Sequence, residues 1–392
     1  MVRLLLLLAF LASPSPAQHQ ERIRRIENGL LPSVVPKAEL GKTHTLAGRM
    51  REHKVPAVSV AVIDNFELAW SKAWGHIEEG GAAATAGTLF QAGSVSKPVA
   101  ATVALKLVET GKLSLDDDVN LRLRSWKLPG TEHTEKEKVT LRRLLSHNAG
   151  LTVHGFPGYA AGTPLPTTVQ VLDGAPPANT SPVRADMRPG SKWRYSGGGY
   201  TVAQLLMADV SGKPFEDLAH ELVLKPIGMS TSTYRQPLPP DWAARAATGH
   251  LPDGRKVVGR FHTYPEMAAA GLWTTAADLA RWAIEIPKSL AGRSNRVLSR
   301  ETTTEMLTAQ AHHEGGAHGL GPALGIRAGN VIFSHGGRDQ GFDALLIANA
   351  QTGQGAAILI NANNNRGFIT ELLRAIAAEY RWRGAPPPQR EQ

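Results

Sequence analysis

Residues 57–74, AVSVAVIDNFELAWSKAW, decide the architecture. The run 57–63 is rich in β-branched residues, Asp64-Asn65 is a turn pair, and 67–74 is strand-like again, so the stretch reads as a β-hairpin. Comparable runs return only near the carboxyl end, at 323–328, 330–334, 344–350 and 356–361. From 114 to about 265 the chain reads instead as helices and Pro/Gly-rich loops, with helices at 141–145, 199–210 and 215–224 and a long loop over 157–189. Further helices are expected at 20–28, 46–52, 98–110 (ended by Gly111), 271–284 and 369–382. Strands at both ends with helices between them predict an α/β (α+β) fold. An antiparallel sheet is built from both termini and flanked by helices, and a mainly helical domain is inserted. The expected division is 18–115 and 265–385 for the discontinuous α/β domain, 116–264 for the helical one, and 386–392 for a Pro-rich tail.

The first 17 residues read as an address. A basic start, Met1-Val2-Arg3, precedes the apolar run 4–12, and Ser13-Pro14-Ser15-Pro16-Ala17 then offers small residues two apart. That layout predicts a cleavable signal peptide and an exported, periplasmic or secreted protein; the run is too short for a span of about 20 helical residues. With no cysteine among 392 residues, disulfides, thiolate metal sites, lipidation and cysteine nucleophiles are excluded. The net charge of +9 favours anionic surroundings, but the basic residues are scattered and no nucleic-acid motif accompanies them. No nucleotide-binding glycine pattern, Gly-x-Ser-x-Gly elbow or His-Glu-x-x-His occurs, so no cofactor and no metal are expected. His312-His313 and His318 read as a solvated loop, and Asp116-Asp117-Asp118 as a solvated face.

Three segments carry chemistry. Ser94-Val95-Ser96-Lys97 is the only Ser-x-x-Lys in the chain; Pro98 belongs in the first turn of the following helix, which puts Ser94 at its start and Lys97 one turn on. A buried Lys97 would shed its proton near neutral pH and accept one from Ser94. Such a tetrapeptide is expected roughly once by composition alone, so it needs company. Tyr195-Ser196-Gly197-Gly198-Gly199 places a phenol before a glycine-rich helix start, and a cation such as Lys97 would favour its phenolate. Ser334-His335-Gly336-Gly337-Arg338 closes a strand, where two glycines let backbone approach a ligand and an exposed N–H could bind an oxyanion.

Together with 90–93 (FQAG), 144–151 (LLSHNAGL), 271–279 (GLWTTAADL) and the pair Gly341-Phe342, these segments resemble the serine β-lactamase and penicillin-binding-protein superfamily. Their order is similar to that of class C β-lactamases, DD-peptidases and D-aminopeptidases, and family VIII carboxylesterases. The resemblance implies a β-lactamase/transpeptidase-like fold, Ser94 as acylated nucleophile, and Lys97 and Tyr195 sharing the base and relay work. It further implies an oxyanion hole from the N–H groups of Ser94 and Arg338, with His335, Gly336, Gly337 and Gly197 facing substrate. Two positions depart from the superfamily's pattern. Gly197 replaces the Asn of Tyr-x-Asn, and His335 stands where lactamases commonly carry Lys. Both changes lean the expectation towards a carboxylesterase on small-molecule esters or amides, with a D-amino-acid peptidase or weak β-lactamase, or an inactive envelope-binding protein, as alternatives. Arg338 is the expected substitute cation for an anionic acyl substrate. Oligomeric state is not legible.

Overall fold

Strands β1 (Ala57–Asp64) and β2 (Glu67–Gly75) pair antiparallel, and both turn residues, Asn65 and Phe66, hold positive φ, as a tight hairpin turn of matching twist requires. The carboxyl end supplies β3 (Ala311–His313), β4 (Gly316–His318), β5 (Ala323–Arg327), β6 (Asn330–Asp339), β7 (Phe342–Asn349) and β8 (Gly355–Ile360). The strands lie in the order β2-β1-β8-β7-β6-β5-β4-β3, every neighbouring pair antiparallel. The two ends of the chain are therefore joined through β1 and β8, with Val60 opposite Ile358. The computed structural model describes residues 15–32, 34–35, 37–78, 80–363, 366–383 and 390–391.

Six helices frame the sheet and the site: α1 (Pro16–Glu27), α2 (Ser96–Glu109), α3 (Leu141–Leu145), α4 (Gly197–Ser211), α5 (Ala276–Leu290) and α6 (Arg366–Glu379). The hairpin strand β1 is buried on both faces, which explains its near-continuous apolar sequence. Val58, Val60 and Val62 meet Ile358 and Ile360 beneath Ile23 and Ile26 of α1 and Phe368, Leu372 and Ile376 of α6. Ala57, Ala61, Ala357 and Leu359 face the other way, into the core that includes α2 and α5. Each fully buried large side chain contributes about 1.5–3 kcal/mol, so the small residues under α5 serve close approach rather than maximal burial.

Four expectations are corrected. The helix expected over 271–284 starts at Ala276 and runs to Leu290, because Trp273 and Thr274 are tied in a short ladder to Phe90 and Gln91 and Thr275 caps the helix. The loop 157–189 contains a helix, Thr168–Asp173, closed by a Thr167/Gln170 capping box. His312, His313 and His318 belong to the β3–β4 hairpin rather than to a solvated loop, and His318 is buried. Within the expected tail, Arg390–Glu391 pair in parallel with Val34–Val35. Of the expected signal peptide, residues 1–14 lie outside the described residues, while Pro16 and Ala17 open α1 behind a Ser15 cap. No helix among the described residues is long and apolar enough to cross a membrane.

Candidate active site

Ser94 lies in a single 3₁₀ turn, Gly93–Val95, that runs straight into α2. Pro98 occupies the first turn of that helix, where its missing N–H leaves no gap in the ladder. Lys97 is buried, and its Nζ lies 2.9 Å from Ser94 Oγ and donates to the Ala269 carbonyl at 2.7 Å. Desolvation lowers its pKa to about 7, against the pull of the nearby Asp339 carboxylate. An amine half neutral at physiological pH is a competent proton acceptor for the hydroxyl it touches.

Glycines bring this turn against strand β6. Gly93 holds a φ of +52°, and a Cβ there would sit 2.4 Å from the Arg338 nitrogen. A Cβ on Gly337 would stand 1.9 Å from the Ala92 carbonyl oxygen. The third segment's glycine thus meets the turn that carries Ser94, which sets the backbones of Ser94 and Arg338 side by side. Strand β5 pairs β6 only as far as Ser334, whereas β7 pairs it through Asp339. Past Ser334 the β6 edge away from β7 is not covered by β5.

Tyr195 precedes α4, whose N-cap Ser196 accepts the Gly199 N–H at 2.9 Å. Its hydroxyl shares a hydrogen bond with Ser94, and Lys97 Nζ lies 4.9 Å from its ring centroid. Burial pushes the phenol's pKa up despite that bond, so the phenolate is disfavoured and Lys97 is the better base of the two. This corrects the expectation that a neighbouring cation would ionise Tyr195.

His335 is buried, and its Nδ1 donates to the Gly336 carbonyl at 2.7 Å. Burial and the neighbouring Lys97 and His318 hold its pKa down at about 3, so it is a neutral imidazole. Arg338 forms a two-point pair with Asp343, Nε to Oδ1 at 2.6 Å and Nη2 to Oδ2 at 2.8 Å. The expected substitute cation is therefore already neutralised by a buried carboxylate. Where an Asn side chain would extend from position 197, a Cβ alone would come within 2.9 Å of Phe156 and 3.1 Å of the His154 carbonyl. Phe156 fills that space.

Ser94, Lys97, Tyr195, His335, Gly336, Gly337 and Arg338 all line one 730 Å³ cleft, together with His154, Phe156, Trp193, Ala270, Leu345 and Ile369. Gly197 borders it through Phe156. A larger hollow of 1200 Å³, bounded by Leu46, Met50 and Trp74, shares none of these residues. The family model described as Beta-lactamase matches residues 43–380. The chain belongs to the beta-lactamase family. It is 28% identical to penicillin-binding protein 4 of Amycolatopsis lactamdurans over 354 residues, 84% of this chain and 86% of that protein. It is 26% identical to esterase EstB of Burkholderia gladioli over 291 residues, 63% and 71% of the two chains. The octameric penicillin-binding protein homologue from Pyrococcus abyssi shares the fold, with a TM-score of 0.64 at 23% identity over 85% of this chain and 75% of that one. The beta-lactamase-family chain is accordingly a serine hydrolase.

Sequence reasoning missed five residues in and around the site. Ala269 offers a carbonyl, which no side-chain pattern reveals. Asp339 and Glu266 are buried carboxyls that burial pushes up, Glu266 to about 7, and nothing in their local sequence signals burial. Phe156 lies just before the expected loop 157–189 and was given no role. His147 lies inside the LLSHNAGL segment, and its place beside Tyr195 depends on a backbone conformation invisible in composition.

Proposed function

We propose that this hydrolase is a carboxylesterase acting on small, uncharged esters through an acyl-serine. Ser94 Oγ attacks the ester carbonyl while Lys97 takes its proton; the N–H groups of Ser94 and Arg338 hold the oxyanion. Tyr195, bonded to Ser94, passes a proton to the departing alcohol and regains one from the Lys97 ammonium. Water then attacks the acyl-serine, Lys97 takes the water's proton, and Ser94 Oγ leaves with a proton returned through Tyr195 as the acid departs.

The observation that carries the preference for uncharged esters is the state of the cleft's basic groups. Lys97 sits at the edge of neutrality, His335 is neutral, and Arg338 is paired with Asp343. A carboxylate-bearing β-lactam or D-alanyl peptide finds no uncompensated positive charge among these groups. Phe156 supports the same reading, since an aromatic wall replaces an amide hydrogen-bonding group. Export is part of the proposal and rests on the composition of residues 1–17.

A panel of p-nitrophenyl acetate and butyrate, a chromogenic cephalosporin and a D-alanyl-D-alanine peptide tests the reading. The expected order places both esters first in kcat/KM. A cephalosporin or peptide hydrolysed faster than either ester would reject it.

A further inference from the structure

We propose that His147 is a positioning residue for Tyr195, gripping the chain on both sides of the phenol. The His147 carbonyl accepts the Arg194 N–H at 2.7 Å, and its Nδ1 accepts the Ser196 N–H at 3.1 Å. Its ring stacks on Tyr195, with centroids 4.1 Å apart and planes inclined by 30°. One residue therefore holds positions 194, 195 and 196 by three separate contacts.

The grip depends on an unusual backbone. His147 has a φ of +61°, a left-handed conformation that is strained for a residue with a side chain. The loop is anchored from the preceding turn, where the Leu145 carbonyl accepts Tyr200 Oη at 2.9 Å and the Gly321 N–H at 3.2 Å. Strain of this kind persists only where surrounding contacts over-determine it, and here those contacts converge on the nucleophile's neighbour.

The bonds also fix the tautomer. The Ser196 N–H can only donate, so His147 Nδ1 is bare and the neutral ring carries its hydrogen on Nε2. His335 is the reverse: Nδ1 donates to a carbonyl and Nε2 is bare. These two rings and His318 bring nitrogens within 4.8 Å of one another, a spacing that alone would suggest a metal. A ring nitrogen bearing hydrogen is not a ligand, and moving that hydrogen to Nδ1 would set it against the Ser196 N–H. On these tautomers the trio is a set of buried neutral rings, two of them packed against Tyr195, rather than a three-imidazole metal centre. Lys97, His154, His318 and His335 all face His147, and burial among them keeps the ring uncharged. The neutral form is the one the grip needs.

The inference rests on Tyr195 taking part in proton transfer, and three variants of the full chain separate the two claims. His147→Ala removes ring and acceptor. His147→Asn keeps an acceptor oxygen near the Nδ1 position and tolerates a left-handed φ, but lacks the ring. Tyr195→Phe tests the phenol itself. With p-nitrophenyl acetate, kcat of His147→Ala is expected to fall about 10²-fold with KM within about twofold, as for a misplaced reacting group. Fluorophosphonate labelling of Ser94 slows in step, and His147→Asn recovers about tenfold, roughly the value of one hydrogen bond. Thermal unfolding identifies variants that have merely lost their fold; should the alanine variant do so, His147→Asn against wild type decides. A folded His147→Ala with wild-type kcat, beside a disabled Tyr195→Phe, overturns the grip alone. A fully active Tyr195→Phe overturns the role of Tyr195 and the grip with it. Stoichiometric Zn²⁺ binding by the wild type, absent in His147→Asn, would overturn the tautomer assignment.

Discussion

The floor and the rim of the cleft tell different stories. On the floor, Ser94, Lys97 and Tyr195 meet as an alcohol, an amine and a phenol, with the amine desolvated to a useful proton affinity. On the rim, the groups that would recognise a charged amide substrate are absent or neutralised: Gly197 faces Phe156, His335 is uncharged, and Arg338 is bound to Asp343. On the proposed mechanism, bond-breaking and recognition fall to separate residues, so the second set could change while the first is kept.

Altering the floor should cost most. Lys97→Met removes the base and is expected to lower kcat/KM on p-nitrophenyl acetate by about 10²–10⁴-fold, the usual span for a general base. In the wild type the acid limb of kcat/KM against pH should have an apparent pKa near 7, rising with pH because the neutral amine is the active form. A profile flat from about pH 5 to 9 would merge floor and rim by showing that Lys97 does not gate the chemistry.

A smaller effect is expected where the rim is rebuilt. Phe156→Ala with Gly197→Asn opens space and restores an amide-binding group, and should raise the ratio of cephalosporin to ester hydrolysis about tenfold, the worth of one hydrogen bond. Gly197→Asn alone should not, because Phe156 still occupies the site. The smallest effect belongs to Arg338→Ala combined with Asp343→Asn, which removes the pair without stranding the buried carboxylate: KM for a carboxylate-bearing ester should stay within about twofold. A large rise in KM would show that Arg338 leaves Asp343 for substrate, and that the rim keeps a cation after all.

The same division governs what could be read from sequence. The fold was legible because strand runs at 57–74 and beyond 323 are separated by a helical stretch, and only a sheet joined between β1 and β8 accommodates both. Ser94 and Lys97 were legible because they are one helical turn apart, a local geometry, whereas the place of Tyr195 beside them was implied only by the family resemblance. Gly336 and Gly337 signalled close approach of the backbone, though not that Gly337 approaches the turn carrying Ser94. The rim was not legible: whether Arg338 is available depends on Asp343 across a strand pair, and whether position 197 has room depends on Phe156, forty residues away in the chain. His318 was misread because a glycine-rich hairpin looks like a loop until its partner strand is known.

The central claim is that Ser94 becomes acylated by an uncharged ester with Lys97 as its base. Intact-protein mass spectrometry after rapid quench with p-nitrophenyl acetate measures this directly. The account predicts a single acetyl adduct on the wild type, mapped by peptide analysis to Ser94, absent in Ser94→Ala and slow to appear in Lys97→Met. An adduct on another residue, or one that persists in Ser94→Ala at the wild-type rate, would contradict it.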